Sequence, residues 1–342
     1  MPPARPRPVA RRAVTAGAVL ALAAGLGACG TDREVLTVYS GRTENLVGPL
    51  LTTFSEENDI DIEVRYGDSA DLALLLEQEG DASPADVVIS QSPGAVGYLD
   101  GLGALAPLDQ AVLDLVDPQF RADDGSWVGM SGRVRTLVYD TEAVDPADLP
   151  RSVLDVASPE YAGQVAVAPS NGSFQDFVTA LRETEGDEVA EEWLQGLADN
   201  GAPTYANNTA IVQAVGRGEV PMGLVNHYYN YRALAEDPGI GTENYFFADG
   251  DIGNLLITTG VAKLASSDSP DLADEFVGFM LSEEAQTFFS EETFEYPLAA
   301  GVEPAGDLPP LDGLGVATFD LDGLGGGLAR TRELIAGSGL DG

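Results

Sequence analysis

The sequence predicts an α/β protein whose sheets are mostly parallel. Short apolar strands alternate with amphipathic helices, and the same grammar is repeated in the second half of the chain. The length of 342 residues is ample for two α/β lobes of ordinary size.

The elements follow in order. "VLTVYS" (35–40) reads as a buried strand, and Leu46, Val47, Leu50, Leu51 and Phe54 then recur at helical spacing up to Asn58. "IDIEVRY" (60–66) alternates, with Ile60, Ile62, Val64 and Tyr66 on one face of a strand. "DLALLLEQEG" is helical and "PADVVIS" (84–90) is a further strand. "QVAVAPS" (164–170) runs as a strand into the helix "NGSFQDFVTALRE". "DEVAEEWLQGLADNG" places Val189, Trp193, Leu194 and Leu197 on one helix face and stops at Asn-Gly. "TAIVQAVGRG" is a short helix, and "VPMGLVN" is a strand delivering the chain to His227. After Ser269 come two helices capped by Ser269 and Ser282, and a final helix is expected around 328–336.

The N-terminus is set apart from this pattern. Arg5, Arg7, Arg11 and Arg12 precede a 16-residue apolar run that is too short for a comfortable membrane span and stops at Cys29. "LGAC" resembles the lipobox of bacterial lipoproteins, so residues 1–28 are expected to be a signal peptide and Cys29 the lipidated N-terminus. Cys29 is the only cysteine, which excludes disulfides and cysteine-based metal sites. Without residues 1–28 the chain carries 13 basic and 56 acidic groups, a formal charge of −43. Such a surface repels nucleic acid and suits a soluble exported protein.

Ligands of open α/β sheets bind beyond the carboxyl ends of strands. Three loops have that position: "SNGS" (170–173), "NNT" (207–209) and "NHYY" (226–229). Backbone N–H groups at the first could converge on an anion, and each loop could equally be a plain helix cap. His227, the only histidine, stands beside Tyr228, Tyr229 and Tyr231. Two phenols in one turn can aim into the same space, and a hard trivalent cation such as Fe(III) would displace their protons. Aromatic packing in a cleft wall is the competing reading, and Tyr231 suits it best because it continues into a helix.

From about Leu36 to Leu298 the chain resembles the periplasmic ferric-iron-binding proteins of bacterial ABC importers. The likeness is carried by "VYSGR", "EQEGDASPADVV", "GALAPLD", "SGRVRTLVYD", "SVLDVASPEYAGQVA", "WLQGLADNG", "GEVPMGLVNHYYNY" and "EYPL". The resemblance implies the two-lobed periplasmic binding protein fold of type II, with a ligand cleft between lobes and two hinge crossovers. These would lie near "SGRVR" (131–135) and "ITTG" (257–260). The lobes would then be 29–132 plus about 260–305, and 133–259 plus about 306–342. It implies Fe(III) as cargo, held by Tyr228 and Tyr229, with a synergistic phosphate or carbonate on Asn171, Gly172, Ser173, Asn208 and Asn226. Arg133 matches a hinge arginine near the cleft. The expected partners are a membrane permease and its ATPase, met by a monomer anchored on the outer face of the cytoplasmic membrane.

Two positions depart from the family pattern. Thr43 stands where members carry a histidine, and Gln91 where they carry a glutamate. Both are poor Fe(III) ligands, which leaves Glu44, Asp68, Asp71 and His227 as candidates beside them. A metal-free reading on the same fold is an organic phosphate or phosphonate held by the same loops, with Arg42 or Arg133 assisting. An exported hydrolase is disfavoured, since the lone histidine, the missing cleft cysteine and the absence of a Gly-x-Ser-x-Gly elbow provide no nucleophile–base pair.

Overall fold

The structure is a computed structural model that describes residues 33–340, apart from 92, 305, 307 and 318–323. The expected signal peptide and Cys29 lie outside the described residues. The first strands and helices are β1 (Val35–Ser40), α1 (Glu44–Asn58), β2 (Asp61–Tyr66), α2 (Ser69–Glu79), β3 (Val87–Ser90) and α3 (Pro93–Gly101). Short β4 (Leu105–Ala106) and α4 (Gln110–Leu113) lead into the long β5 (Trp127–Asp140). Next come β6 (Val165–Ala166), α5 (Gly172–Glu185), α6 (Asp187–Asp199), α7 (Asn208–Gly216), β7 (Met222–Asn226), α8 (His227–Glu236) and β8 (Thr242–Tyr245). The chain closes with β9 (Leu256–Leu264), α9 (Pro270–Met280), α10 (Glu283–Glu292), β10 (Tyr296–Pro297) and α11 (Leu324–Ser338).

Hydrogen bonding orders the strands β2-β1-β3-β9-β5-β7-β6, with β4, β8 and β10 joined at the sides. The pairs β1–β2, β1–β3 and β6–β7 are parallel, as strand–helix–strand units require. The sheet as a whole is mixed, because β9 and β5 enter antiparallel. This departs from the mostly parallel sheet expected from the sequence, and its cause is the two long strands. β5 pairs with β9 from Trp127 to Val134, then with β7 and β8 from Arg135 onward. Thus β5 changes partners at Val134/Arg135 and belongs to both halves. The two expected crossover segments lie side by side, with Ser131 opposite Thr259 and Arg133 opposite Ile257.

Each half has its own apolar packing. Around β1 and β3, α1 and α9 meet through Phe54 and Phe276, whose rings cross edge to face at 5.2 Å. Burying a phenylalanine of this kind contributes roughly 1.5–3 kcal/mol. In the other half, Phe174 and Phe177 of α5 pack on Trp193 of α6, whose Nε1 donates to Val153 O at 2.8 Å. β2 is an edge strand, so Ile62 and Val64 are only half-buried and Tyr66 is exposed. The final helix is longer than the sequence pattern marked. It is bound to α5 by Thr331 to Thr179 (2.8 Å) and by Arg182 to Gly327 O (2.8 Å).

Candidate functional site

The period of two along β5 puts Ser131, Arg133 and Arg135 on one face. All three are buried. Arg42, from the loop between β1 and α1, reaches the same region and is 3 % exposed. Its Nη2 donates to Glu295 Oε1, and Ser131 Oγ donates to Glu295 Oε2. Glu295, on the short connection from α10 to β10, is fully buried. Burial lowers and Glu295, with Tyr228 and Tyr229, raises the Arg42 pKa, for a net upward shift.

Arg133 is fully buried, and its Nη2 donates to the carbonyls of Gln91 and Thr258. Its Nε and Nη1 have no hydrogen-bond partner. A buried donor left unpaired costs its desolvation energy, so these two nitrogens are suited to an anionic group. Burial, aided by the neighbouring Arg42, holds Arg133 below the usual guanidinium value, with Glu295, Tyr228 and Asp176 opposing.

The sequence-marked loops do converge. β6 feeds α5, whose N-cap Asn171 accepts from Ser173 N at 3.1 Å. Asn208 opens α7, and its Nδ2 donates to Asn171 Oδ1 at 3.0 Å and to Ser173 Oγ at 3.3 Å. Asn226, the last residue of β7, donates its backbone N–H to Asn208 Oδ1 at 3.2 Å. Arg135 stands across from Asn226 in the β5–β7 register, and its Nη1 donates to the side-chain oxygens of Ser173, Asn208 and Asn226 at 3.4, 3.4 and 3.2 Å.

Tyr228 and Tyr229 lie in the first turn of α8, which follows Asn226 and opens with His227. Their rings stack at 4.1 Å between centroids, 30° apart. The two adjacent side chains of this helical turn therefore lie against each other. Tyr228 is 2 % exposed and Tyr229 half-buried. Burial pushes the Tyr228 phenol well above its ordinary value; Tyr229 adds to this, while Arg42 and Arg133 oppose it.

The remaining sequence candidates are placed as follows. His227 is fully buried, with Nδ1 at 3.1 Å from Val134 N and its ring against Tyr296 at 4.8 Å; burial drives its pKa down to about 3. Tyr231 stacks on Phe294 at 6.0 Å, the packing role that its place in the helix suggested. Thr43 is exposed and donates to Asn45 Oδ1 at 2.6 Å. Glu44 is exposed beside Tyr66, Asp68 caps α2 through Ala70 N, and Asp71 sits in the first turn of α2. Gln91 is half-buried and lines a cavity of about 390 Å³, with Ser69 and Asp68 on its side and Gly172, Gln175 and Asp176 on the other. Among the described residues no three His, Cys, Asp or Glu side chains converge into a metal-holding group.

Sequence reasoning overlooked Arg135, Glu295 and Ser131 as members of this region. The signal for Ser131 and Arg135 was present, since period-two alternation through "SGRVR" places both beside Arg133. Glu295 had no local signal beyond its place in "EYPL".

Two α/β halves sharing the long strand β5, with a polar site built from loops at strand ends, define a two-lobed solute-binding protein of type II. Residues 82–312 match the family described as bacterial extracellular solute-binding protein, and the chain belongs to that family. It is 32% identical over 323 residues to the Fe(3+)-binding periplasmic protein of Serratia marcescens, covering 93% of this chain and 94% of that one. It is 33% identical over 295 residues to the major ferric iron-binding protein of Neisseria meningitidis, covering 85% of this chain and 88% of the other. Among solved structures, iron-bound HitA from Pseudomonas aeruginosa matches with a TM-score of 0.84 at 33% identity, over 90% of this chain and 99% of that one.

Proposed function

We propose that this chain is an extracytoplasmic binding protein that captures Fe(III) with a synergistic anion and delivers it to an ABC importer. The observation that carries the reading is the stacked Tyr228–Tyr229 pair beside the pocket of Ser173, Asn208 and Asn226. Fe(III) bound there displaces the phenol protons, and the phenolates become hard anionic ligands. A phosphate or carbonate completes the coordination, held by Asn171, Gly172, Ser173, Asn208 and Asn226, with Arg133 offering its unpartnered N–H groups. On the opposite side of the cleft Gln91 is the candidate nearest the anion loop, since it faces Gly172 across the shared cavity. The lobes, 29–132 plus about 260–305 and 133–259 plus about 306–342, close on the ion as units. Cys29 carries the lipid that holds a monomer on the outer face of the cytoplasmic membrane, where a permease and its ATPase receive the cargo. The named relatives support the iron reading.

The test is a visible absorption titration with ferric citrate, with and without phosphate or bicarbonate, alongside a Tyr228→Phe, Tyr229→Phe double variant. A saturable phenolate-to-iron band, strengthened by the anion and lost in the variant, is expected. A colourless wild-type protein that takes up no iron would refute the reading. The 390 Å³ cavity beside the anion loop has room for an organic group, so organic phosphates and phosphonates would then be titrated as the cargo.

A further inference from the structure

We infer that Arg135 is a positioning residue that makes the side chains of the anion pocket pure hydrogen-bond donors, so that the pocket takes an oxyanion through its accepting oxygens. The inference rests on the anion-binding part of the proposed function and deepens it.

An asparagine side chain offers an acceptor at one end and two donors at the other, so a pocket of asparagines has no inherent preference for anions. A guanidinium has five donors and no acceptor, and any amide end facing it must be the oxygen. Arg135 faces Oδ1 of both Asn208 and Asn226 and Oγ of Ser173. The fourth side-chain oxygen, Asn171 Oδ1, is taken by Ser173 N, Ser173 Oγ (2.6 Å) and Asn208 Nδ2. The side-chain lone pairs of Asn171, Ser173, Asn208 and Asn226 are therefore turned into the protein. The amide NH2 ends of Asn171 and Asn226 and the backbone N–H groups of the first turn of α5 are what these loops can offer a ligand.

The guanidinium is fixed for this task. Arg135 is 3 % exposed, lies 5.8 Å from the centre of the Phe177 ring, and its backbone N–H donates to Leu255 O at 2.9 Å. Burial brings its pKa down to about 10, opposed by Asp176 and Tyr229, so it is charged at neutral pH. The opposing strand register, Arg135 across from Asn226, places it without any loop adjustment. A lysine has the charge, but its ammonium is a more strongly hydrated group on a flexible stem and lacks the planar fork that fixes Nη1 against these oxygens.

The experiment is the ferric citrate titration with inorganic phosphate varied, reading the phosphate concentration that gives half of the band enhancement. Wild type, Arg135→Gln and Arg135→Lys are compared. Arg135→Gln is expected to raise that concentration by about tenfold or more, the order lost with a charged hydrogen-bond donor. Arg135→Lys is expected to fall between, and it carries the test if circular dichroism shows Arg135→Gln unfolded. Side-chain amide ¹⁵N–¹H spectra of the iron-free wild type are expected to show asparagine NH2 signals shifting with phosphate. An unchanged phosphate dependence in a folded variant would overturn the inference while leaving the iron site standing. A wild-type band with no phosphate or bicarbonate effect would overturn it together with the anion reading, and no band at all would overturn the tyrosine site itself.

Discussion

Replacing Glu295 by alanine is expected to be among the most destabilising single changes near the site. Glu295 is fully buried and neutralises Arg42, itself 3 % exposed, while accepting from the buried Ser131 hydroxyl. Removing one partner of a buried ion pair leaves an uncompensated charge, at about 3–5 kcal/mol. The Ser131 hydroxyl, left without its acceptor, adds about 1 kcal/mol. At about 2 °C per kcal/mol for a chain of this size, the Tm measured by circular dichroism should drop by roughly 8–12 °C. Glu295→Gln keeps an oxygen for Ser131 and should cost less. The decisive arm is the double variant Glu295→Ala, Arg42→Met, because removing both charges is often neutral or stabilising. It should recover at least about 2 kcal/mol of urea-derived stability relative to Glu295→Ala alone. A Glu295→Ala protein within about 2 °C of wild type, or a double variant no better than the single one, would refute the claim that this charge pair is buried and coupled.

Other predictions follow from the same geometry. His227 has its folded pKa lowered from 6.5 to about 3 by burial, so the unfolded chain binds the extra proton between those values. Stability should therefore fall as pH drops through that window, by on the order of 5 kcal/mol at most, and His227→Gln should flatten this limb of a urea-midpoint profile. A Cβ on Gly223 of β7 would stand 2.2 Å from Ile211 Cγ2 of α7, so Gly223→Ala should push α7 off the strand. The expected cost is about 1–3 kcal/mol, together with a weaker phosphate effect, because Asn208 and Asn226 sit on the two elements forced apart. Arg182→Met should loosen α11, since it removes the bonds to Gly327 O (2.8 Å) and Thr331 (3.1 Å). Hydrogen exchange in residues 327–338 should accelerate by at least tenfold while exchange in α1 is unchanged.

The contrast between what could and could not be read from sequence comes down to range. Asn171, Asn208 and Asn226 were legible because each ends a strand or starts a helix, and parallel units bring such ends together. The closeness of the Tyr228 and Tyr229 rings was legible because the two residues are adjacent in the chain. His227 was not, because its fate depends on Val134 and Tyr296, 93 and 69 positions away, which take up its ring as packing. Glu295 lies 253 positions from Arg42, and no local pattern encodes such a pair. Arg135 is the intermediate case. Its face was fixed by the period of β5, and only its partner depended on the long-range register with β7. The same register explains why Arg133 and Arg135 differ, although they share a face. β5 leaves β9 and joins β7 between them, so Arg133 keeps Nε and Nη1 unpaired at the crossing while Arg135 is consumed by the asparagines one step further on. A change of strand partner at Val134 thus separates a buried guanidinium with two unpaired nitrogens from one bonded to the oxygens of Ser173, Asn208 and Asn226.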